Sequence, residues 1–189
     1  VVIDNKRKDS KYPFRELAGV GVVFKLIQAL GIKLNLKEEA YLKYLDIVCL
    51  GTISDIVPLV DENRVIAKLG LMLVKQTKNI GLKTLLDISG YKTVDSTTIS
   101  FGLAPRINAC GRMGHERDAL DLFLTENIVE ANRITEKLNE YNKKRQEIEK
   151  RIDKIKNDLL RYTDIKEEYG NTITLSANFI IKYKDKVIS

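Results

Sequence analysis

A carboxylate inside an apolar run is the first residue of this sequence that could carry chemistry. Asp55 follows Ser54 and has Ile53, Ile56 and Val57 as its other neighbours. A buried carboxylate is costly unless it is paired or binds a cation. Carboxylate oxygens are the ligands that Mg²⁺ and Mn²⁺ take in proteins. The pattern makes Asp55 a candidate metal ligand, and the alternatives are a helix N-cap or one partner of a salt bridge.

A pair of arginines among small residues is the second candidate. Arg106 and Arg112 lie six positions apart in a stretch that contains Gly111 and Gly114. On a loop broken by glycines, two guanidinium groups and the backbone N–H groups can reach the oxygens of one phosphate. The alternative is that each arginine pairs with a nearby glutamate or aspartate.

A polar interruption in a long apolar pattern is the third candidate. Asn139, Asn142, Arg145 and Gln146 cluster in the middle of this pattern, and Arg145 occupies a position that would otherwise be apolar. A charged residue on such a seam lowers stability unless something compensates for it. Arg145 either fixes the register of a coiled coil or borders a polar site.

The elements that must position these residues are predicted to be mostly helical. Residues 1–4 resemble the end of a buried strand, and residues 5–16 form a basic loop. The spacing of apolar residues predicts helices over residues 17–30, 37–48, 63–74 and 82–88, with Gly51 ending the second. Two glycines in the first turn of the first helix indicate close approach of a backbone or a ligand, or tight packing. Residues 101–114 show no simple period and are predicted to be irregular.

A single long helix is predicted to begin after Thr125, which is a plausible N-cap. Apolar residues follow at alternating steps of three and four, which predicts about 35 helical residues. Such a length with one apolar seam is typical of a coiled coil or of a helix that bridges two domains. Short strands are predicted beyond it, at residues 172–175, 179–183 and 186–188.

Composition limits the classes of function. The 189 residues carry a net charge of +6, which favours a polyanionic partner or reflects a lysine-rich surface. The one histidine, His115, excludes a histidine-rich metal cluster and has the polar neighbours of a surface residue. Cys49 and Cys110 have no CxxC partner and are predicted to be buried reduced thiols of a cytoplasmic protein. No apolar run is long enough for a membrane helix.

Four segments, taken in order, resemble a known family. They are YPFRELAGVG at residues 12–21, LGTISDIVPL at 50–59, FGLAPRINACGRM at 101–113 and LNEYNKKRQEIE at 138–149. Together they closely resemble the RecJ family of the DHH phosphoesterase superfamily, over about residues 1–160. Four long motifs in the right order are far more specific than any one of them.

The resemblance implies an α/β fold in three parts. Residues 1–124 would be the mainly helical C-terminal part of a DHH phosphoesterase domain. Residues 125–162 would be the long connecting helix, and residues 163–189 the truncated start of a second, DHHA1 domain. The two domains face each other across a groove in this family, which agrees with the helix expected after Thr125.

The resemblance also implies a function. Its members degrade single-stranded DNA from the 5′ end with Mn²⁺ or Mg²⁺, in DNA repair and recombination, and a helicase or a single-stranded-DNA-binding protein is a possible partner. Asp55 matches a metal ligand and catalytic residue, and the predicted nucleic-acid-binding residues are Arg106, Asn108, Arg112 and Arg145. Recognition of the 5′ phosphate is assigned chiefly to Arg112.

Two departures from the family pattern limit this expectation. The Asp-rich motifs and the Asp-His-His motif would lie before Val1, and the segment that begins at Asn178 lacks the family's His and Gly. We therefore expect an internal fragment that is inactive by itself. The alternatives are another DHH phosphodiesterase, of the oligoribonuclease or cyclic-dinucleotide type, or a non-catalytic helical module that binds nucleic acid.

Overall fold

The computed structural model describes residues 2–162, with side chains described as far as Asn157, and every regular element in that range is a helix. The eight α-helices are α1 (Gly19–Lys33), α2 (Glu39–Leu42), α3 (Leu45–Ser54), α4 (Asp61–Val74), α5 (Ile80–Ser89), α6 (Ala104–Arg112), α7 (Glu116–Leu124) and α8 (Ile128–Tyr162). A π-helix, Thr98–Leu103, runs directly into α6. The three short strands predicted for the α/β fold lie outside the described residues.

The start of the chain does not form the predicted strand. Val2 and Ile3 are exposed and belong to no regular element. The described part of the chain holds no other strand with which they could pair, and an unpaired strand leaves its backbone groups unsatisfied. The basic segment that follows is irregular, as predicted, and Asn5 anchors it by donating a 2.6 Å hydrogen bond to the carbonyl of Arg15.

The chain divides into two compact units, Val1–Arg145 and Gln146–Ser189. The first contains α1 to α7 and the first part of α8. Its core gathers apolar side chains from every helix of the unit, among them Leu82, Leu103, Leu122 and Leu138. The described part of the second unit is the remaining length of α8.

The core helix α3 differs from its prediction in two ways. The helix predicted over residues 37–48 is split into α2 and α3 at Lys43 and Tyr44, and it continues past Gly51 to Ser54. Residues on all sides of α3 are buried, so its apolar residues form no single stripe that would mark its limits. Gly51 does not end the helix; it makes room for α1, since a Cβ there would lie 2.8 Å from Val20 Cγ1.

The long helix is confirmed, and its cap is different from the predicted one. α8 contains 35 residues, which corresponds to a length of about 50 Å. Asn127 caps it, because its Oδ1 accepts hydrogen bonds from the backbone N–H groups of Val129 and Glu130. The hydroxyl of Thr125 instead accepts a hydrogen bond from the N–H of Asn127, one residue before the helix begins at Ile128. None of the helices in residues 2–162 is both long and apolar enough to cross a membrane.

Both cysteines are buried and unpaired, which confirms that part of their prediction. Burial raises the pKa of the Cys49 thiol to about 12 and that of the Cys110 thiol to about 11, with smaller effects from Asp46 and Asp118. The thiolate is the reactive form of cysteine. Both groups therefore behave as small apolar core residues.

Candidate functional site

The segment that contains the two arginines is helical, which corrects the prediction of an irregular loop. Asp95 begins it, because its Oδ1 accepts a 2.9 Å hydrogen bond from the N–H of Thr98. The π-helix follows and continues into α6 at Ala104. Pro105 has no N–H to close an α-helical bond onto the carbonyl of Phe101, which favours a wider turn at this point. Short π-helical turns occur frequently at functional sites.

The helical geometry separates the two arginines. Six residues on an α-helix correspond to a rotation of about 240°, so Arg106 and Arg112 face different directions. The idea that both arginines clamp one phosphate from a flexible loop is therefore wrong. Neither guanidinium forms an ion pair with a carboxylate in the described part of the chain, although salt bridges were the alternative for both.

Arg106 is half-buried and faces α8. Its Nη1 donates a 2.5 Å hydrogen bond to the carbonyl of Gly102, and its Nε donates one of 3.1 Å to Asn139 Oδ1. Burial lowers the pKa of the Arg106 guanidinium, and the electrostatic effect of Tyr91 acts in the opposite direction. Both acceptors are neutral, so they do not neutralise the positive charge of Arg106. The hydrogen bond to Asn139 links α6 to α8.

Arg112 lies on a different side of α6, in an open cavity of about 510 Å³. Its side chain is exposed and forms no hydrogen bond or ion pair with any residue that the structure describes. The lining comes from the end of α3 and the loop after it, the π-helix, α6 and α8. The lining residues are Ile53, Ser54, Ile56, Val57, Leu59, Ser96, Ser100, Phe101, Ala104, Pro105, Asn108, Arg112 and Arg145.

Three of the four predicted nucleic-acid-binding residues line this cavity. Asn108 and Arg112 stand one turn apart on the same face of α6, and Arg145 enters from α8. Arg145 donates from Nε and Nη2 to Asn142 Oδ1, at 3.3 and 3.2 Å, so the polar cluster of α8 helps to orient it. Arg106 does not line the cavity.

Asp55 borders a neighbouring cavity of about 460 Å³ at the start of α1. The two cavities share two lining residues, Ser54 and Asn108. Asp55 itself is exposed at the C-terminal end of α3, which corrects the expectation that it is buried and excludes the N-cap alternative. The other alternative, a salt bridge of Asp55, is not found among the described residues either.

A divalent metal was expected at Asp55, and the described residues alone do not make a complete site for one. Mg²⁺ takes near-octahedral oxygen coordination. No group of three or more His, Cys, Asp or Glu side chains that could hold a metal is found within residues 2–157. Asp55 can supply one ligand, and the others would have to come from elsewhere.

His115 has the surface position expected of it. Its ring is exposed and stacks on Tyr141, with centroids 4.7 Å apart and planes 5° from parallel. The Tyr141 hydroxyl donates a 2.8 Å hydrogen bond to Asp118 Oδ2, and Lys137 Nζ lies 3.6 Å from the other oxygen of that carboxylate. These contacts tie the α6–α7 connection to α8.

Two cavity residues were not singled out from the sequence. Phe101 is 71 % exposed, although Ile99, Gly102 and Leu103 beside it are buried. Ile56 is 89 % exposed and has a φ of 55°, in the left-handed region that β-branched residues rarely adopt. The exposure of these two side chains has no local sequence signal, because it depends on how the surrounding helices pack.

Comparisons with known proteins agree with the resemblance to RecJ. No family model matches the chain. The single-stranded-DNA-specific exonuclease RecJ of Bacillus subtilis is 41 % identical over 149 residues, which cover 78 % of this chain and 18 % of that protein. This chain is homologous to part of RecJ.

Solved RecJ structures share the fold of the described helices. The crystal structure of Thermus thermophilus RecJ with Mn²⁺ has a TM-score of 0.69 and 36 % identity, over 77 % of this chain and 22 % of that one. The corresponding Mg²⁺ complex has a TM-score of 0.70. The chain thus spans about a fifth of the length of these RecJ relatives, and its helical residues match part of the RecJ structure.

Proposed function

We propose that this chain is part of a metal-dependent 5′→3′ exonuclease that hydrolyses the phosphodiester bonds of single-stranded DNA in repair and recombination. The observation that carries the proposal is Arg112, an unpaired guanidinium on a cavity that shares two lining residues with the cavity beside Asp55. Guanidinium groups present two parallel N–H donors that match a phosphate. The homology with RecJ supports this reaction, and the cavity is the proposed position of the substrate.

The proposed roles follow from the position of each side chain. Arg112 binds a phosphate, most usefully the 5′-terminal one, and Asn108 offers an amide to the same strand. Arg145 adds positive charge from α8. Arg106 contributes charge at greater distance, because Gly102 and Asn139 already occupy its Nη1 and Nε donors.

Asp55 is proposed as one ligand of a Mn²⁺ or Mg²⁺ site completed by residues outside the described part of the chain. The ion would stabilise negative charge on the phosphate oxygens and activate water. In this reading residues 1–124 belong to the DHH domain, residues 125–162 connect it to the DHHA1 domain, and residues 163–189 begin the latter. A helicase or a single-stranded-DNA-binding protein is the proposed partner of the whole enzyme.

Binding to single-stranded DNA tests the role of Arg112. Fluorescence anisotropy at fixed salt compares 5′-phosphate and 5′-hydroxyl oligonucleotides, since phosphate contacts depend on salt. Arg112→Ala should weaken binding about tenfold to hundredfold, and Arg112→Lys should reduce the preference for the phosphorylated end. Arg64→Ala is the matched control, because Arg64 is also exposed and does not line the cavity. If the Arg64 and Arg112 variants lost the same amount of DNA affinity, the effect would come from the net charge of the protein and not from a specific contact of Arg112.

Two activity measurements test the metal role of Asp55. The isolated chain, incubated with 5′-labelled single-stranded DNA and Mn²⁺, should release no nucleotides, and metal-dependent release would contradict the proposal. Asp55→Asn, placed in a full-length protein that carries this segment, should abolish nuclease activity and leave the unfolding free energy unchanged. Near-normal turnover would show that Asp55 is not a ligand.

A non-catalytic module that binds nucleic acid is the second candidate function. The lack of a three-ligand metal cluster within the described residues favours it for the chain by itself. Another DHH phosphodiesterase is the third, and a preference for short oligoribonucleotides or cyclic dinucleotides over single-stranded DNA would support it.

A further inference from the structure

We propose that Phe101 is a stacking platform for a nucleobase of the DNA strand whose phosphate Arg112 binds. The proposal rests on the proposed function and extends it from the sugar–phosphate chain to the bases. Its starting observation is that the Phe101 side chain is 71 % exposed and lines the same cavity as Arg112.

The orientation of Phe101 is determined by the buried side of its own helix. Ile99 and Leu103 are fully buried, and Gly102 lies against Tyr91, whose Cε2 would be 2.9 Å from a Cβ at that position. The interior beside this turn is therefore filled, and the Phe101 ring is held on the cavity side. An aromatic ring held open in this way costs no further reorganisation when a ligand stacks on it.

The composition of the cavity favours a nucleotide over a purely apolar ligand. Its lining combines the exposed apolar side chains of Phe101 and Ile56 with the guanidinium groups of Arg112 and Arg145. No Asp or Glu is found among the lining residues that the structure describes. A single-stranded nucleic acid presents both an aromatic base and an anionic phosphate, and proteins that bind it combine cationic and aromatic groups in this manner.

The spacing along the helix predicts which base is contacted. Phe101 and Arg112 are eleven residues apart on one face, with Pro105 and Asn108 between them. At 1.5 Å per residue, the separation is about 16 Å. Stacked nucleotides advance about 3.4 Å each along a strand. The base on Phe101 therefore lies within the first five or so nucleotides from the phosphate on Arg112.

Single abasic residues separate base stacking from phosphate contacts. The test uses the full chain and 5′-phosphorylated oligonucleotides in which one abasic residue is placed at successive positions from the 5′ end. With the wild-type protein, an abasic residue at one or two of the first five positions should weaken binding about five- to hundredfold. Phe101→Tyr keeps the ring and should preserve that pattern. Phe101→Leu should bind the intact oligonucleotide as weakly as the abasic one.

A fluorescence measurement reports the stack directly. The chain has no tryptophan, so Phe101→Trp introduces a single reporter. Its emission should be quenched by the intact oligonucleotide and not by the oligonucleotide with the critical abasic residue. Tyr44→Trp is the control, because Tyr44 is also an exposed aromatic residue and does not line this cavity.

The outcomes distinguish this proposal from the one on which it rests. If Arg112→Ala weakens binding and Phe101→Leu does not, stacking is overturned while the DNA-binding function stands. If Phe101→Leu lowers the affinity for intact and abasic oligonucleotides equally, the ring packs against protein or sugar and stacking is again overturned. If the wild-type chain binds no single-stranded DNA, both proposals fall.

Discussion

The contact between α3 and α4 and the exposed side of α6 differ in the space around their residues. At Gly70 of α4, a Cβ would lie 2.6 Å from the Leu45 carbonyl oxygen and would overlap Cys49. At Gly111 of α6, a Cβ would meet no atom within 4 Å. In the first region, close packing limits which side chains fit. In the second, charged and aromatic side chains have space around them and can contact a ligand. Substitutions in the α3–α4 contact are therefore expected to change stability, and substitutions on the exposed side of α6 are expected to change function.

The largest effect is expected at the closed contact. Gly70→Ala should lower the unfolding free energy by about 3 kcal/mol, because the helices must separate to admit one methyl group. Gly111→Ala should raise it by about 0.5–1 kcal/mol, since alanine restricts the unfolded chain and fits the helix. Urea denaturation measures both. A Gly70 variant as stable as the wild type would mean that α3 and α4 can separate at little cost.

The two buried thiols, Cys49 in the closed region and Cys110 on the buried side of α6, should make the unfolding free energy sensitive to alkaline pH. The pKa of Cys110 is about 11 in the folded protein and that of Cys49 about 12, above the value of about 8.5 in an unfolded chain. A raised pKa contributes stability that is complete below the unfolded value and is lost as the pH rises toward the folded one. Between pH 8 and pH 10 the loss should be about 2 kcal/mol for each thiol. In the Cys49→Ala and Cys110→Ala variants, the unfolding free energy should depend less steeply on pH between pH 8 and pH 10. Urea denaturation repeated across this range measures the dependence, and a slope equal to that of the wild type would contradict the prediction.

The two arginines sharpen the comparison within one helix. Arg106→Met should lower the unfolding free energy by about 1–2 kcal/mol, because the Gly102 carbonyl and Asn139 lose a charged donor. Arg112→Met should change it by less than about 0.5 kcal/mol, as is usual for an exposed side chain. DNA affinity should respond in the opposite order. If the same variant had the larger effect on both stability and DNA affinity, Arg106 and Arg112 would not have the separate roles proposed for them.

The smallest effect is expected at the turn after Asp55. Ile56 has a positive φ and is exposed, so Ile56→Gly relieves backbone strain and loses little buried area. The unfolding free energy should rise by about 0.5–1 kcal/mol, because glycine adopts this conformation without a steric penalty and also loses more entropy on folding. Thermal denaturation would detect it, and Val57→Gly, at the next position, serves as the control that should not be stabilised.

Much of the helical content was predictable from local patterns. The apolar spacing after Thr125 predicted α8 to within about three residues, and the spacings over residues 63–74 and 82–88 located α4 and α5. These helices are amphipathic, so their periodicity survives in the sequence. α3 was misjudged at both ends because its residues are buried on all sides and carry no periodic contrast.

Residue identity and motif order indicated which side chains carry the candidate chemistry: Asp55, Arg106, Asn108, Arg112 and Arg145. Only the tertiary structure decided how they are grouped. It made a helix of the glycine-containing segment, turned Arg106 toward Asn139 and left Arg112 open beside Phe101. The physical reason is that side-chain chemistry is local, whereas the space around a side chain depends on helices that are distant in sequence.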